Sequence, residues 1–118
     1  MVLAVIQPFK LDSVIRALED VVGFAGVTVS ECRGFGREKL DASAVAGEKL
    51  YQADAGLIDF TGKLKLEIAI AGRDRADTIA NVIAQSAHTG RRGDGKVFVW
   101  PLTNAIRVRT GEAGTLAL

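Results

Sequence analysis

Lys63-Leu64-Lys65-Leu66-Glu67-Ile68-Ala69-Ile70 is the stretch on which the fold turns. Leu64, Leu66, Ile68 and Ile70 share one face at a period of two, and Lys63, Lys65 and Glu67 begin the other. Such alternation predicts a strand with one buried face. Beyond Gly72 the period changes. Ala76, Ile79, Ile83 and Ala87 recur at helical spacing and predict a helix over 74–87. A glycine cluster follows, then a short apolar strand over 97–100, closed by Pro101.

The first half of the chain repeats this order. An apolar run over 2–6 is stopped by Pro8. A helix is expected over about 11–22, capped or opened by Asp12, with Val14, Ala17, Leu18 and Val21 on one face. Gly23 and Gly26 bracket its exit, and 27–33 alternates, with Val27 and Val29 opposed to Thr28 and Ser30. The sum is βαββαβ, an α+β ferredoxin-like fold with both helices on one face of an antiparallel sheet, in a single domain over 1–118. The connection over about 36–61 is longer than most within a compact domain and holds no sustained period, with local helix expected only over 42–50. The sheet face away from the helices would carry Thr28, Ser30, Lys65, Phe98 and Trp100. Two large apolar rings there predict an oligomer contact.

Composition narrows the class. The chain has 118 residues, 48% of them hydrophobic, which suits a folded domain with a modest core. Fifteen basic and 14 acidic residues leave a formal charge of +1, unlike the basic excess of a non-specific nucleic-acid binder. No apolar run reaches membrane-spanning length. The N-terminus lacks the basic flank and cleavage pattern of a signal peptide, and a lone Cys32 allows no internal disulfide, so a cytoplasmic protein is expected. Cys32 reads as a buried or semi-buried strand residue.

Three glycine-and-base clusters stand out: Gly34-Phe35-Gly36-Arg37-Glu38-Lys39, Thr89-Gly90-Arg91-Arg92-Gly93-Asp94-Gly95-Lys96 and Arg107-Val108-Arg109-Thr110-Gly111. Glycine lets backbone N–H groups approach an anion, and Arg and Lys supply countercharge. Each has a plainer explanation. The second is also a glycine helix stop with a solvated turn. In the third, Arg107 and Arg109 point the same way on an extended segment, and an acidic neighbour would pair with them as well as an anion would. Together they suggest a phosphate-bearing ligand. His88 suits a helix end. Metal-ligand Cys/His spacing and the Gly-Lys-Ser/Thr signature are lacking; Glu38 and Asp41 suit magnesium beside phosphates, or plain solvation.

Gln7-Pro8-Phe9-Lys10-Leu11-Asp12, Val27-Thr28-Val29-Ser30-Glu31, Gly34-Phe35-Gly36-Arg37, Asp59-Phe60, Lys63-Leu64-Lys65-Leu66-Glu67, Thr89-Gly90, Gly93-Asp94-Gly95-Lys96-Val97-Phe98-Val99 and Ile106-Arg107-Val108-Arg109-Thr110-Gly111-Glu112 resemble the PII signal-transduction family. The resemblance covers almost the whole chain outside the long connection. It implies a homotrimer that binds ATP or ADP, with AMP an alternative, in clefts between subunits. It also implies a regulated partner, a transporter or an enzyme, contacted through the long connection, the family's T-loop. By the same resemblance Thr28 would face the adenine and Glu67 lie near the nucleoside. Gly36, Arg37 and Glu38 would line the phosphates from one side, with Gly93, Gly95 and Lys96 from the same cleft. Arg107 and Arg109 would reach in from a neighbouring subunit.

The departures concern the second effector. Glu38 stands where the family has a Gln that helps hold magnesium; Glu can still ligate the metal, but its charge would repel a bound dicarboxylate such as 2-oxoglutarate. Lys63 matches the family lysine at the base of the T-loop and would pair with an organic acid or bicarbonate. Counting back from Asp59-Phe60 puts Gly56 at the family's modified tyrosine, and Tyr51 falls elsewhere. The resemblance therefore implies sensing of energy with nitrogen or carbon status. Two other classes compete. A slow nucleotide hydrolase would need a positioned base, with only Glu38 and Asp41 on offer. A ferredoxin-like RNA-binding module would need a basic, aromatic sheet face, which Lys63 and Lys65 suit and Glu67 does not.

Overall fold

The computed structural model describes residues 1–35 and 61–118. Its elements are β1 (Val2–Ile6), a 3-10 turn (Pro8–Lys10), α1 (Leu11–Glu19), β2 (Thr28–Gly34), β3 (Thr61–Ile68), α2 (Arg73–Ser86), β4 (Gly95–Val99) and a second 3-10 turn (Gly114–Ala117). The strands form one sheet in the order β2-β3-β1-β4, every neighbouring pair antiparallel. That order and the two helices make the fold ferredoxin-like, as the alternation of periods predicted.

The core explains the pattern. Val2, Ala4 and Ile6 of β1 and Leu66 and Ile68 of β3 are buried against Val14 and Leu18 of α1 and Ala76, Ile79 and Ile83 of α2. Both helices thus cover the same sheet face, each by a stripe spaced three or four residues apart. The core of the described residues contains no buried polar or charged side chain. On the opposite face the register sets Thr28 beside Glu67, Ser30 beside Lys65, Leu3 beside both Glu67 and Phe98, and Val5 beside Lys65 and Lys96. Phe98 and Trp100 remain 46% and 41% exposed there.

Several boundaries differ from the sequence expectation, each for a local reason. α1 ends at Glu19, because the N–H groups of Val21 and Phe24 close successive turns on Leu18 and Val21 carbonyls, and Gly23 takes a φ of 87°. Asp12 lies in the first turn while Lys10 is the cap residue, since the Pro8–Lys10 turn already leads the chain in. β3 starts at Thr61 because its first residues pair with the end of β2. β4 starts at Gly95, whose backbone pairs with Ile6. Residues 106–109 are not an extended segment. Ile106 bridges to Ala113, and Arg107 exchanges backbone bonds with Glu112 and Gly111, so 107–112 is a tight reversal. The helix expected over 42–50 lies outside the described residues, as do Gly36, Arg37, Glu38 and Asp41.

Gly95 is the tightest point of the sheet. Its φ is 109°, and a Cβ there would overlap the Val5 carbonyl oxygen. Gly62, also in a strand, has only open space around it. Gly95→Ala should therefore cost about 3 kcal/mol or more, from overpacking plus an unfavourable φ. Gly62→Ala should stay within about 1 kcal/mol of the parent. Urea denaturation of both variants checks this; equal midpoints would contradict the close approach.

Candidate functional site

The register places two of the three glycine clusters at one end of the sheet. Ile6, the last residue of β1, pairs with Leu64 on one side and Gly95 on the other, and Gly34 at the end of β2 pairs with Thr61. The ends of the long connection, the exit of β1 and the loop before β4 therefore share that end.

The loop between α2 and β4 is built around Asp94. Its carboxylate accepts the Thr89 N–H at 2.8 Å, the Gly90 N–H at 3.0 Å and the Thr89 hydroxyl, and His88 Nδ1 stands 3.7 Å away. The Arg91 N–H donates to the Thr89 hydroxyl at 3.1 Å. Gly90 and Gly93 hold φ values of 78° and 88°, which a side chain would resist. The Thr89 hydroxyl and N–H, then the Gly90 N–H and the His88 imidazole, hold the Asp94 carboxyl below its ordinary 3.8, against a smaller opposing effect of burial. The loop is thus shaped before any ligand arrives, leaving Arg91 and Arg92 exposed around it.

Lys63 joins this loop. Its ammonium donates to the Gly93 carbonyl. A Cβ on Gly93 would stand 3.1 Å from Gln7 Nε2 and 3.3 Å from Lys63 Nζ. Beside this corner lies a groove of about 400 Å³ lined by Pro8, Glu31, Cys32, Arg33, Gly62, Lys63 and Leu64. Lys96 is exposed on the helix-free face, level with Lys65, which is paired to Glu67 at 3.3 Å. Thr28 and Glu67 face each other across β2 and β3, four residues along from Cys32 and Lys63, or about 13 Å at the usual rise of a strand.

Arg107 and Arg109 lie elsewhere. β4 carries the chain to the far end of the sheet, where residues 100–105 with Gly114, Thr115 and Leu118 border a second groove of about 470 Å³ together with Met1, Ile70 and Gly72. Arg107 is already paired: Nη1 meets Glu112 Oε2 at 3.0 Å, Nη2 reaches the Leu118 carbonyl at 3.4 Å, and the Thr110 hydroxyl donates to the same Glu112 oxygen at 3.0 Å. The acidic partner comes from the same reversal. Arg109 is exposed, beside a Val108 that is 98% exposed. Within one chain the structure therefore gathers Lys63, Gly93, Gly95 and Lys96, places Thr28 and Glu67 further down the same face, and sets the arginines at the other end. Sequence reasoning missed Gln7 and Asp94 as site residues. An Asp beside a left-handed glycine is a recognised loop-closing signal, whereas nothing in the sequence pointed to Gln7.

Comparison with known proteins agrees with this architecture. A sequence model of the family described as "Nitrogen regulatory protein P-II" matches residues 1–112. The chain is 46% identical over 115 residues to Nitrogen regulatory protein P-II of Bradyrhizobium diazoefficiens, covering 98% of this chain and 96% of the relative. It is 42% identical over 118 residues to Nitrogen regulatory protein GlnK of Escherichia coli, covering 100% and 98%. The crystal structure of Arabidopsis thaliana PII bound to citrate superposes with a TM-score of 0.73 at 37% identity, covering 99% of this chain and 89% of that one.

The Asp94 network yields a signed prediction. A carboxyl whose folded value is lowered contributes stability above its unfolded value and loses it as pH falls through the folded value. Asp94→Asn should thus lower the urea midpoint at about pH 7, and the gap to the parent should shrink below about pH 4. A gap that stays constant down to about pH 2.5 would show that the carboxylate's charge does not hold the loop.

Proposed function

The chain belongs to the P-II family of nitrogen regulatory proteins, and we propose that it is an adenine-nucleotide-binding signalling protein that works as a homotrimer and regulates a partner protein. ATP or ADP, or AMP, lies in a cleft between subunits, its adenosine end toward Thr28 and Glu67 and its phosphates toward Lys96, Gly93 and the loop closed by Asp94. Gly36, Arg37 and Glu38 complete the phosphate side, with magnesium held at Glu38. The connection over about 36–61 contacts the regulated transporter or enzyme. Lys63 takes a second, anionic effector, an organic acid or bicarbonate. The protein acts in the cytoplasm, without nucleic acid or membrane insertion.

One observation carries the subunit-cleft reading. The glycine loop and the Arg107–Arg109 reversal sit at opposite ends of a single chain's sheet. A ligand that uses both needs two chains. The exposed Phe98 and Trp100 supply an apolar face for a neighbour to cover. The span of about 13 Å between the Thr28–Glu67 pair and Lys63 suits a nucleoside at one end and its phosphates at the other. Citrate in the Arabidopsis relative is a polyanion, in keeping with a fold that collects basic groups around anionic ligands.

A charge-assisted phosphate contact contributes roughly 1.5–3 kcal/mol, so Arg109→Ala and Lys96→Ala should each weaken ADP binding roughly tenfold to a hundredfold in calorimetry. The decisive test mixes the two variants after denaturation and joint refolding. Each defective chain then lends the residue the other lacks, and roughly a quarter of the sites in random trimers should regain parental affinity. No recovery, or a monomeric mass by light scattering, would overturn a site shared between chains.

A further inference from the structure

Of the two arginines proposed to reach the phosphates, Arg107 is already occupied and Arg109 is not. The chain reverses so that Arg107 and Glu112 oppose each other. The Arg107 N–H donates to the Glu112 carbonyl at 2.8 Å, the Gly111 N–H donates to the Arg107 carbonyl at 2.8 Å, and Ile106 bridges to Ala113 just outside them. Side chains at such opposed positions meet. Arg107 Nη1 stands 3.0 Å from Glu112 Oε2, and the Thr110 hydroxyl donates to that same oxygen at 3.0 Å. The carboxylate is thus held from two sides by groups of its own reversal, and the pair forms in each chain without a neighbour. Arg109 is exposed and makes no ion pair with the described residues.

The pair is also weak enough to exchange. The Arg107 side chain is 40% exposed and that of Glu112 45%, and a pair so solvated contributes little. A ligand carboxylate offers the charge and the two oxygens that Glu112 already supplies, so it gains nothing by replacing it. A terminal phosphoryl group, with roughly two negative charges and three acceptor oxygens, does gain. We infer that Glu112 is a built-in competitor for the phosphate: it holds Arg107 until a terminal phosphoryl group takes the guanidinium, and it thereby sets the nucleotide affinity below what the arginine alone would give. The inference rests on the reading of Arg107 as a phosphate contact in the subunit cleft, and it adds the residue that opposes that contact. Glu112 acts through Arg107 and is a positioning residue. A carboxylate that merely supported Arg107 would have the opposite sign, because its loss would weaken binding.

The experiment is a double-mutant cycle read by calorimetry on the full chain: parent, Arg107→Gln, Glu112→Gln and the double variant, each titrated with ADP and with inorganic pyrophosphate. Glu112→Gln should tighten ADP binding about twofold to fivefold, the worth of a solvated pair. Arg107→Gln should lose about twofold to fivefold more affinity in the Glu112→Gln background than in the parent, because only in the parent must the arginine first leave a carboxylate. Repulsion between Glu112 and the phosphate is present in both proteins that keep Glu112 and cancels from that comparison. Thermal melts within a few degrees of one another establish that the amide substitutions keep the fold. Unchanged or weaker ADP binding by Glu112→Gln, or an Arg107→Gln loss as large in the parent as in the Glu112→Gln background, would overturn the inference. Pyrophosphate carries the terminal phosphoryl group without adenosine. The expected pattern with pyrophosphate and none with ADP faults the nucleotide reading alone, and a flat response to both probes overturns the inference itself.

Discussion

The end of the sheet that carries the candidate site depends on one close approach of two backbones. Gly95 enters β4 so near the Val5 carbonyl that no side chain fits, and its φ of 109° is one that side chains oppose. That contact fixes where the loop from α2 lands on the sheet. From there Asp94 gathers Thr89 and Gly90, and Lys63 reaches the Gly93 carbonyl from β3. Any change that pushes β4 away from β1 would move the whole loop relative to Lys63. The glycines here are therefore required by geometry first. The proposed binding of an anion there would use the cations that the geometry leaves exposed.

The sheet's two faces divide the remaining tasks. With both helices on one side, every fully buried side chain among the described residues is apolar, and most polar residues of the strands go to the other side; Glu31 and Arg33, on the helix side of the edge strand β2, stay exposed. That face is itself graded. Leu3, Phe98 and Trp100 lie toward the far end, and Lys63, Lys65 and Lys96 toward the glycine loop. A neighbour covering the aromatic part would bring its own groups alongside the basic part. Assembly and anion binding thus belong to one surface in the proposed regulator, because the helices leave only that face free.

Much of this was legible before any coordinates. The period-two run over 63–70 and the helical stripe of Ala76, Ile79, Ile83 and Ala87 report burial on one face, and burial is what the fold imposes. The errors have physical sources. Arg107-Val108-Arg109 alternates like a strand, yet three residues are too few to separate a strand from a reversal, and Glu112 bonding back to Arg107 decides for the reversal. The helix end at Glu19 hinges on Gly23 taking a positive φ, which composition signals only loosely. Of the candidate site, the glycine loop was visible as composition, while the Gln7–Lys63–Gly93 corner was not. Its members are 56 and 30 positions apart, and only the antiparallel register of β1 with β3 and β4 brings them together. Glu38 and its neighbours fall outside the described residues, so their part in the phosphate side rests on the family resemblance.

The near-neutral net charge makes the placement of each cation count. Against 15 basic and 14 acidic residues, the described residues pair Lys65, Arg73 and Arg107 with carboxylates, and a solvated pair of that kind contributes little to stability or to binding. What matters is which cation the fold denies a carboxylate. Arg107 is neutralised by Glu112 inside its own reversal, and Lys65 by Glu67 on its own strand. Lys63 is instead turned toward a carbonyl, which orients the ammonium without cancelling it. An oriented, uncancelled charge is more useful for recognition than a larger number of mobile ones. It costs little to reorganise when a ligand arrives, and it discriminates by the ligand's charge as well as by its shape.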